Sequence, residues 1–214
     1  MRLSFVKPLP GRQAQVEMAP AYRAGSLLEE PSAPPGAVDA AVLVLLTPTN
    51  TGLRPQDLLE WKTLLIRRNT YMGAHSGQIA FPGGRREASD SDLCAAACRE
   101  AHEEAGVDRE QLALAGTLTS LYVPPSNFII HPFLAVNKEF RPVRLDSREA
   151  VSYRNIPVRA FDPGRAAWLE FTYPDGRRRF APAWRRAGFT IWGATAMILA
   201  ELYRLIENEA LVWE

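Results

Sequence analysis

The segment Arg99-Glu100-Ala101-His102-Glu103-Glu104 carries the densest chemistry in this sequence. On a helix, Glu100, Glu103 and Glu104 project within an arc of roughly 100°. Three carboxylates on one face repel one another, at a cost of roughly a few tenths of a kcal/mol per pair. Two things can offset that. Arg99 stands four residues before Glu103 and can pair with it. A hard divalent cation can take the remaining oxygens, since Mg²⁺ prefers carboxylates and keeps part of its water shell. The alternative is a solvated acidic helix face, and the carboxylates alone leave both readings open.

The elements around the segment narrow the choice. Leu93 to Ala105 is the best-marked helix: Ser89, Asp90, Ser91 and Asp92 offer N-cap oxygens, and Gly106 sits where a C′ glycine belongs. Upstream, Gln78 to Phe81 reads as a short strand stopped by Pro82-Gly83-Gly84. Glycine there permits close backbone approach, and a free carbonyl can join a metal site. Strand, Gly-Gly loop, acidic helix and terminal glycine together are far more specific than any one of them.

The rest of the chain reads as a mixed α/β fold. Ala40 to Leu46 is a fully buried strand. Trp61 to Arg67, Leu112 to Tyr122 and Ile129 to Val136 are further strands. Trp168 to Tyr173 and Arg178 to Ala181 flank Pro174-Asp175-Gly176 as a hairpin. Ala194 to Asn208 is an amphipathic helix, with Met197, Ile198, Leu202, Leu205 and Ile206 at helical spacing. Strands and helices do not alternate regularly, which argues against a doubly wound sheet. The proline-rich stretch Glu29 to Gly36 reads as a linker, with residues 1 to about 35 peripheral.

Composition sets outer bounds. A chain of 214 residues buries enough surface to fold without disulfide or metal. Lys+Arg 25 against Asp+Glu 24 argues against a strongly basic nucleic-acid binder. Cys94 and Cys98, four apart on one helix, form no secreted disulfide framework. The N-terminus has no apolar core of signal-peptide length, and the longest apolar run, Ala40 to Leu46, is too short to span a bilayer. The expectation is a soluble cytoplasmic protein with a small-molecule substrate, no nucleic-acid or membrane partner, and a homodimer left open.

The acidic segment resembles the Nudix hydrolase box, Gly-x5-Glu-x7-Arg-Glu-U-x-Glu-Glu-x-Gly-U with U aliphatic. Gly84 takes its first position, and Arg99 to Val107 match its second half. Asp90 stands where the first Glu belongs, eight residues rather than seven precede Arg99, and Ala101 is small for its slot. Leu64-Leu65-Ile66-Arg67-Arg68 through Gly77-x3-Phe81-Pro82-Gly83-Gly84 is similar to the signature of Nudix coenzyme A pyrophosphatases. His75-Ser76-Gly77-Gln78 and Pro124 to Phe128 resemble segments of bacterial members. Gly73 falls where that signature has Arg.

The resemblance implies a Nudix fold, a mixed β-sheet sandwiched between helices, in residues 36–214. It implies hydrolysis of the diphosphate of coenzyme A or its derivatives with Mg²⁺ or Mn²⁺. Glu100, Glu103 and Glu104 would be metal ligands, with the Gly84 carbonyl added and Arg99 orienting a glutamate. Glu100 and Glu149 are candidate general bases; relatives often have an acidic residue where Ser152 stands. Arg67, Arg68, His75, Ser76 and Gln78 are candidate phosphate or ribose partners, and Tyr122, Pro124 and Phe128 could line a groove for the long arm. The rivals are hydrolysis of another nucleoside diphosphate compound, such as ADP-ribose or a dinucleotide, and a non-catalytic nucleotide sensor.

Other features read as structural. Cys94, Cys98 and His102 drift around the helix by about 40° per step, which suits buried thiols better than zinc. His131 begins a strand and Trp192 packs before the last helix. Arg177 to Arg179 and Arg185-Arg186 read as a solvated hairpin and loop, with a role near an anionic substrate as the alternative and RNA binding as a minor one.

Overall fold

The structure is a computed structural model that describes residues 3–28, 33–49, 55–70, 76–137, 142–172 and 176–213. The chain opens with β1 (Leu3–Phe5), α1 (Gly11–Val16), α2 (Ala24–Leu28), β2 (Val38–Thr47) and β3 (Lys62–Arg68). Then come β4 (Ile79–Ala80), β5 (Gly83–Arg85), α3 (Leu93–Ala105), β6 (Leu112–Thr117), β7 (Leu121–Val123), β8 (Phe128–Asn137) and β9 (Ala150–Pro157). It closes with β10 (Ala167–Thr172), β11 (Arg178–Arg186), β12 (Phe189–Trp192), α4 (Gly193–Glu207) and β13 (Leu211–Trp213).

The expected mixed sheet between helices is present. β2 lies at its centre, parallel to β8 on one edge and antiparallel to β5 and β3 on the other. That position explains the unbroken apolar run: a strand covered on both faces needs no polar alternation. Ala41, Leu43 and Leu45 enter the core beneath α3, while Val44 and Leu46 enter the larger core beneath α4. Ala96, Ala97, Ala101 and Ala105 form the buried face of α3. Small side chains bring this helix close to the sheet, so Ala101, fully buried, suits its place.

Several expectations need correction. Gly83 and Gly84 do not merely stop a strand; they form β5, paired with Val42 and Ala41. A Cβ on Gly83 would stand 2.3 Å from the Ala41 carbonyl oxygen, so glycine is what permits the pairing. Leu112 to Tyr122 is two strands, both on β8, with an irregular register between Leu114 and Gly116. Residues 150–157, without alternation strong enough to mark them, form β9 along β3. The hairpin reading holds, β10 pairing antiparallel with β11, although residues 173–175 of its turn lie outside the described residues.

Residues 3–28, expected to be peripheral, pack into the larger core. Met18, Ala19 and Leu27 are buried there. β1 pairs with β13. Gln15 Nε2 donates to Glu201 Oε2 of α4 at 2.8 Å, inside the protein. Among the described residues no helix is long and apolar enough to cross a membrane.

Candidate active site

Helix α3 begins and ends as its sequence requires. The Asp92 carboxylate accepts from the Ala95 N–H at 2.7 Å. Gly106 closes the helix at φ 67°, a left-handed conformation that suits glycine. These caps set which face Arg99, Glu100, Glu103 and Glu104 present.

Arg99 is the hub. Its guanidinium donates to Asp90 Oδ1 at 3.1 Å, Glu100 Oε1 at 3.1 Å, Glu103 Oε2 at 2.9 Å and the Arg85 carbonyl at 3.0 Å. Asp90 is buried, and also accepts from the Glu87 N–H at 2.8 Å. The two donors hold its carboxyl below the usual range, the Arg99 hydrogen bond most strongly. Asp90 thus anchors Arg99 from the preceding loop, and the longer spacing still delivers a carboxylate to the guanidinium.

Glu104 is 1% exposed. One oxygen accepts from the Gly83 N–H at 2.8 Å and the other from Arg68 at 3.0 Å. Burial pushes its carboxyl up to about 7, against the lowering pull of Arg68 and the Gly83 N–H. Burial also raises Glu100. The Glu100 carboxylate lies against Gly84, where an added Cβ would meet Oε1 at 2.4 Å.

The carboxylates fit a hard divalent cation in donor type and charge. Each already holds a guanidinium group at 2.9–3.1 Å, Arg99 on Glu100 and Glu103, Arg68 on Glu104. Among the described residues, no three acidic, histidine or cysteine side chains converge as a ready-made cage. A cation therefore has to share these carboxylates with the arginines.

The same residues edge a cleft of about 1230 Å³. Glu149 joins Glu100, Glu103 and Glu104 at its wall, and its charge adds to the upward push on Glu104. Arg68 and Gln78 line it too. Arg67 does not: its guanidinium donates to the Gly188 carbonyl at 2.9 Å and lies over the Phe189 ring. β3 alternates its side chains, so adjacent arginines cannot serve one face. Ser76 is outside the cleft wall, and His75 and Gly73 lie outside the described residues. Phe128 lines the cleft; Tyr122 instead donates its hydroxyl to Asn127 at 2.9 Å, and Pro124 is exposed.

Trp192, read as packing, stacks on Phe171 and lines the cleft as well. Sequence reasoning also missed Arg85, whose guanidinium lies 4.7 Å over the Phe128 ring, and Tyr22, which reaches the cleft from the N-terminal segment. Arg85 follows Gly84 directly and could have been noticed; nothing in the sequence announces Tyr22. Cys98 packs in the core under α3 with Cys94 beside it, while His102 pairs with Asp108 at 3.1 Å. His131 bridges Ser120 and Asp39 between strands.

The NUDIX domain family model matches residues 39–180. An uncharacterized Nudix hydrolase, NudL, of Yersinia enterocolitica is 31% identical over 164 residues, covering 76% of this chain and 78% of the relative. The NudL of Salmonella newport is 32% identical over 154 residues, covering 70% and 75%. Among solved structures, the Nudix hydrolase RenU of M. smegmatis superposes with a TM-score of 0.51 at 21% identity, covering 80% of this chain and 87% of that one. That likeness concerns the fold.

Proposed function

The chain belongs to the Nudix hydrolase family, and on that premise we propose that it cleaves the diphosphate bond of coenzyme A or its derivatives. The products would be 3′,5′-adenosine diphosphate and 4′-phosphopantetheine, or the acylated arm from a thioester. The coarser activity comes with the family: hydrolysis of a nucleoside diphosphate compound with a divalent metal ion.

One observation supports the finer reading most. The cleft, about 1230 Å³, exceeds the usual range for small-molecule sites and joins an acidic helix face to apolar and aromatic walls. That shape suits a substrate with a charged centre and a long amphiphilic arm. Phe128, Ile130 and Trp192 supply apolar surface, and the Thr195 hydroxyl, which donates to the Ile79 carbonyl at 2.9 Å, leaves an oxygen that can accept.

In this reading Glu100, Glu103, Glu104 and the Gly84 carbonyl hold Mg²⁺ or Mn²⁺. When bound, the ion neutralises the diphosphate and activates water. Arg99, fixed by Asp90, orients Glu100 and Glu103. Glu104 ties β5, at Gly83, to the helix. Glu149, at the cleft wall, is the candidate to accept a proton from water, with Glu100 the other. Arg68 and Gln78 face the substrate. In this reading residues 36–214 are the domain and residues 1–35 an extension, of which Pro20, Tyr22 and Arg23 wall the cleft. The protein would act in the cytoplasm on a small molecule.

A substrate panel with Mg²⁺ or Mn²⁺, with products resolved by chromatography, tests this reading. Release of 3′,5′-adenosine diphosphate from coenzyme A faster than cleavage of ADP-ribose or dinucleotides supports it. Preference for another nucleoside diphosphate compound overturns the coenzyme A assignment and leaves the helix chemistry standing.

A further inference from the structure

Part of the cleft wall comes from the N-terminal segment, before the residues matched by the family model. Pro20, Tyr22 and Arg23 all reach the cleft. They are held from both sides. Upstream, Met18 and Ala19 are buried at 0% and 2%, and Gln15 bonds to Glu201 and to the Thr119 carbonyl. Downstream, Arg23 donates to the Tyr122 carbonyl and Leu27 is buried. Between these anchors Tyr22 stays 51% exposed.

Tyr22 carries the Arg179 guanidinium of β11 over its ring at 4.7 Å. The same device recurs at Phe128, which carries Arg85 at 4.7 Å. Arg85 adjoins the acidic helix, because its carbonyl accepts from Arg99. The two pairs therefore differ in what they adjoin. Phe128 and Arg85 line the cleft and border the carboxylates. Tyr22 lines it too, while Arg179 is not among the lining residues and meets the cleft only through its place over the Tyr22 ring, joining the N-terminal segment to the β10–β12 sheet.

An aromatic ring that is half exposed on an anchored segment contributes little to folding, but it offers a stacking face at low entropic cost. A guanidinium beside it can pair with phosphate through two hydrogen bonds. We infer that Tyr22 and Arg179 form the subsite for the nucleoside end of the substrate, Tyr22 stacking the base and Arg179 pairing with a phosphate on the ribose. The ribose-phosphate part rests on the coenzyme A reading; the stacking part needs only a nucleotide substrate.

The test compares wild type with Tyr22→Phe, Tyr22→Ala and Arg179→Gln on coenzyme A and on its analogue lacking the ribose 3′-phosphate. Tyr22→Ala should raise KM about tenfold for both while kcat stays within about twofold, and Tyr22→Phe should behave as wild type. Arg179→Gln should raise KM about tenfold for coenzyme A and leave the analogue unchanged. Calorimetric titration of 3′,5′-adenosine diphosphate and of AMP gives a second readout that needs no turnover. There, wild type should favour the former, Arg179→Gln should bind both alike, and Tyr22→Ala should weaken both. Unchanged KM and binding in Tyr22→Ala overturns the stacking role. An equal effect of Arg179→Gln on both ligands, or none, overturns the phosphate role. If wild type cleaves ADP-ribose or a dinucleotide but not coenzyme A, the coenzyme A reading fails by itself, and Tyr22→Ala is judged on the compound that is cleaved.

Discussion

The Glu100 carboxylate fills the space where a side chain on Gly84 would have to go, with Oε1 2.4 Å from an ideal Cβ position. Gly83, its neighbour, has no such freedom either, but there the obstruction is the Ala41 carbonyl at 2.3 Å, part of the β2 backbone. A carboxylate at the end of a side chain can swing away; a strand backbone cannot. The adjacent glycines should therefore fail differently. Gly84→Ala should keep its melting temperature within a few degrees and lose about 100-fold in kcat, because a displaced carboxylate misplaces the reacting groups. Gly83→Ala should lose about 2–4 kcal/mol of stability. Thermal melts beside steady-state rates check the pair, and equal loss of stability in both would refute the distinction.

Asp90→Ala should lower turnover about 10- to 100-fold, by freeing Arg99 to lie differently on Glu100 and Glu103. KM for the substrate should change little, since Asp90 is buried behind the arginine. Restoring the family's glutamate, Asp90→Glu, should not exceed wild type, because the longer loop already delivers the shorter side chain. Kinetics on the two variants check this, and a raised KM with intact kcat would count against it.

Glu104→Gln should reduce turnover on the order of 100-fold or more, the loss expected when several kcal/mol of charge stabilisation disappear. The replacement keeps volume but turns an amide toward Arg68. Any change in stability is a separate effect, since burial opposes the ionised carboxylate while Arg68 and the Gly83 N–H favour it. Manganese binding followed by electron paramagnetic resonance separates the two effects: affinity should fall even in samples shown to be folded.

Glu201 predicts a pH dependence of stability. It is fully buried, and its partners are uncharged: Gln15, the Thr119 hydroxyl and backbone N–H groups. Burial raises its carboxyl above the ordinary value of 4.5, against those hydrogen bonds. A folded-state value above the unfolded one means that the folded state binds the proton more tightly. Its contribution is therefore fully present below about pH 4.5 and is lost as pH rises through the folded value. Denaturant melts from pH 8 down to 5 should show wild type gaining stability relative to Glu201→Gln. A difference independent of pH would refute the assignment.

The sequence made the chemistry more legible than its setting. Helix α3 could be read to the residue because Asp92 and Gly106 are local signals that need no tertiary partner. The central strand was legible because burial on both faces leaves an apolar run. What escaped depends on contacts far apart in the chain. Nothing local in residues 150–157 says that β3 lies beside them, and nothing in Gly83-Gly84 separates a strand end from a strand that needs close approach. Arg67 and Arg68 look alike in sequence; the pleat sends one to Gly188 and Phe189 and the other to Glu104. Tyr22 was invisible because its role comes from Arg179, far along the chain, and from a cleft that no single segment encloses.

The pairing of Phe5 with Leu211 sets an order on events during synthesis. The first strand has to wait for roughly two hundred further residues before its partner exists, some 10–40 s at ordinary ribosomal speeds. The acidic helix, its glycine strand and β2 all lie within the first half of the chain and can meet earlier. Glu201, which fastens Gln15, also arrives late. A nascent chain would thus own its carboxylate cluster before it owns the wall that carries Tyr22, and the enzyme would acquire its chemistry before its selectivity.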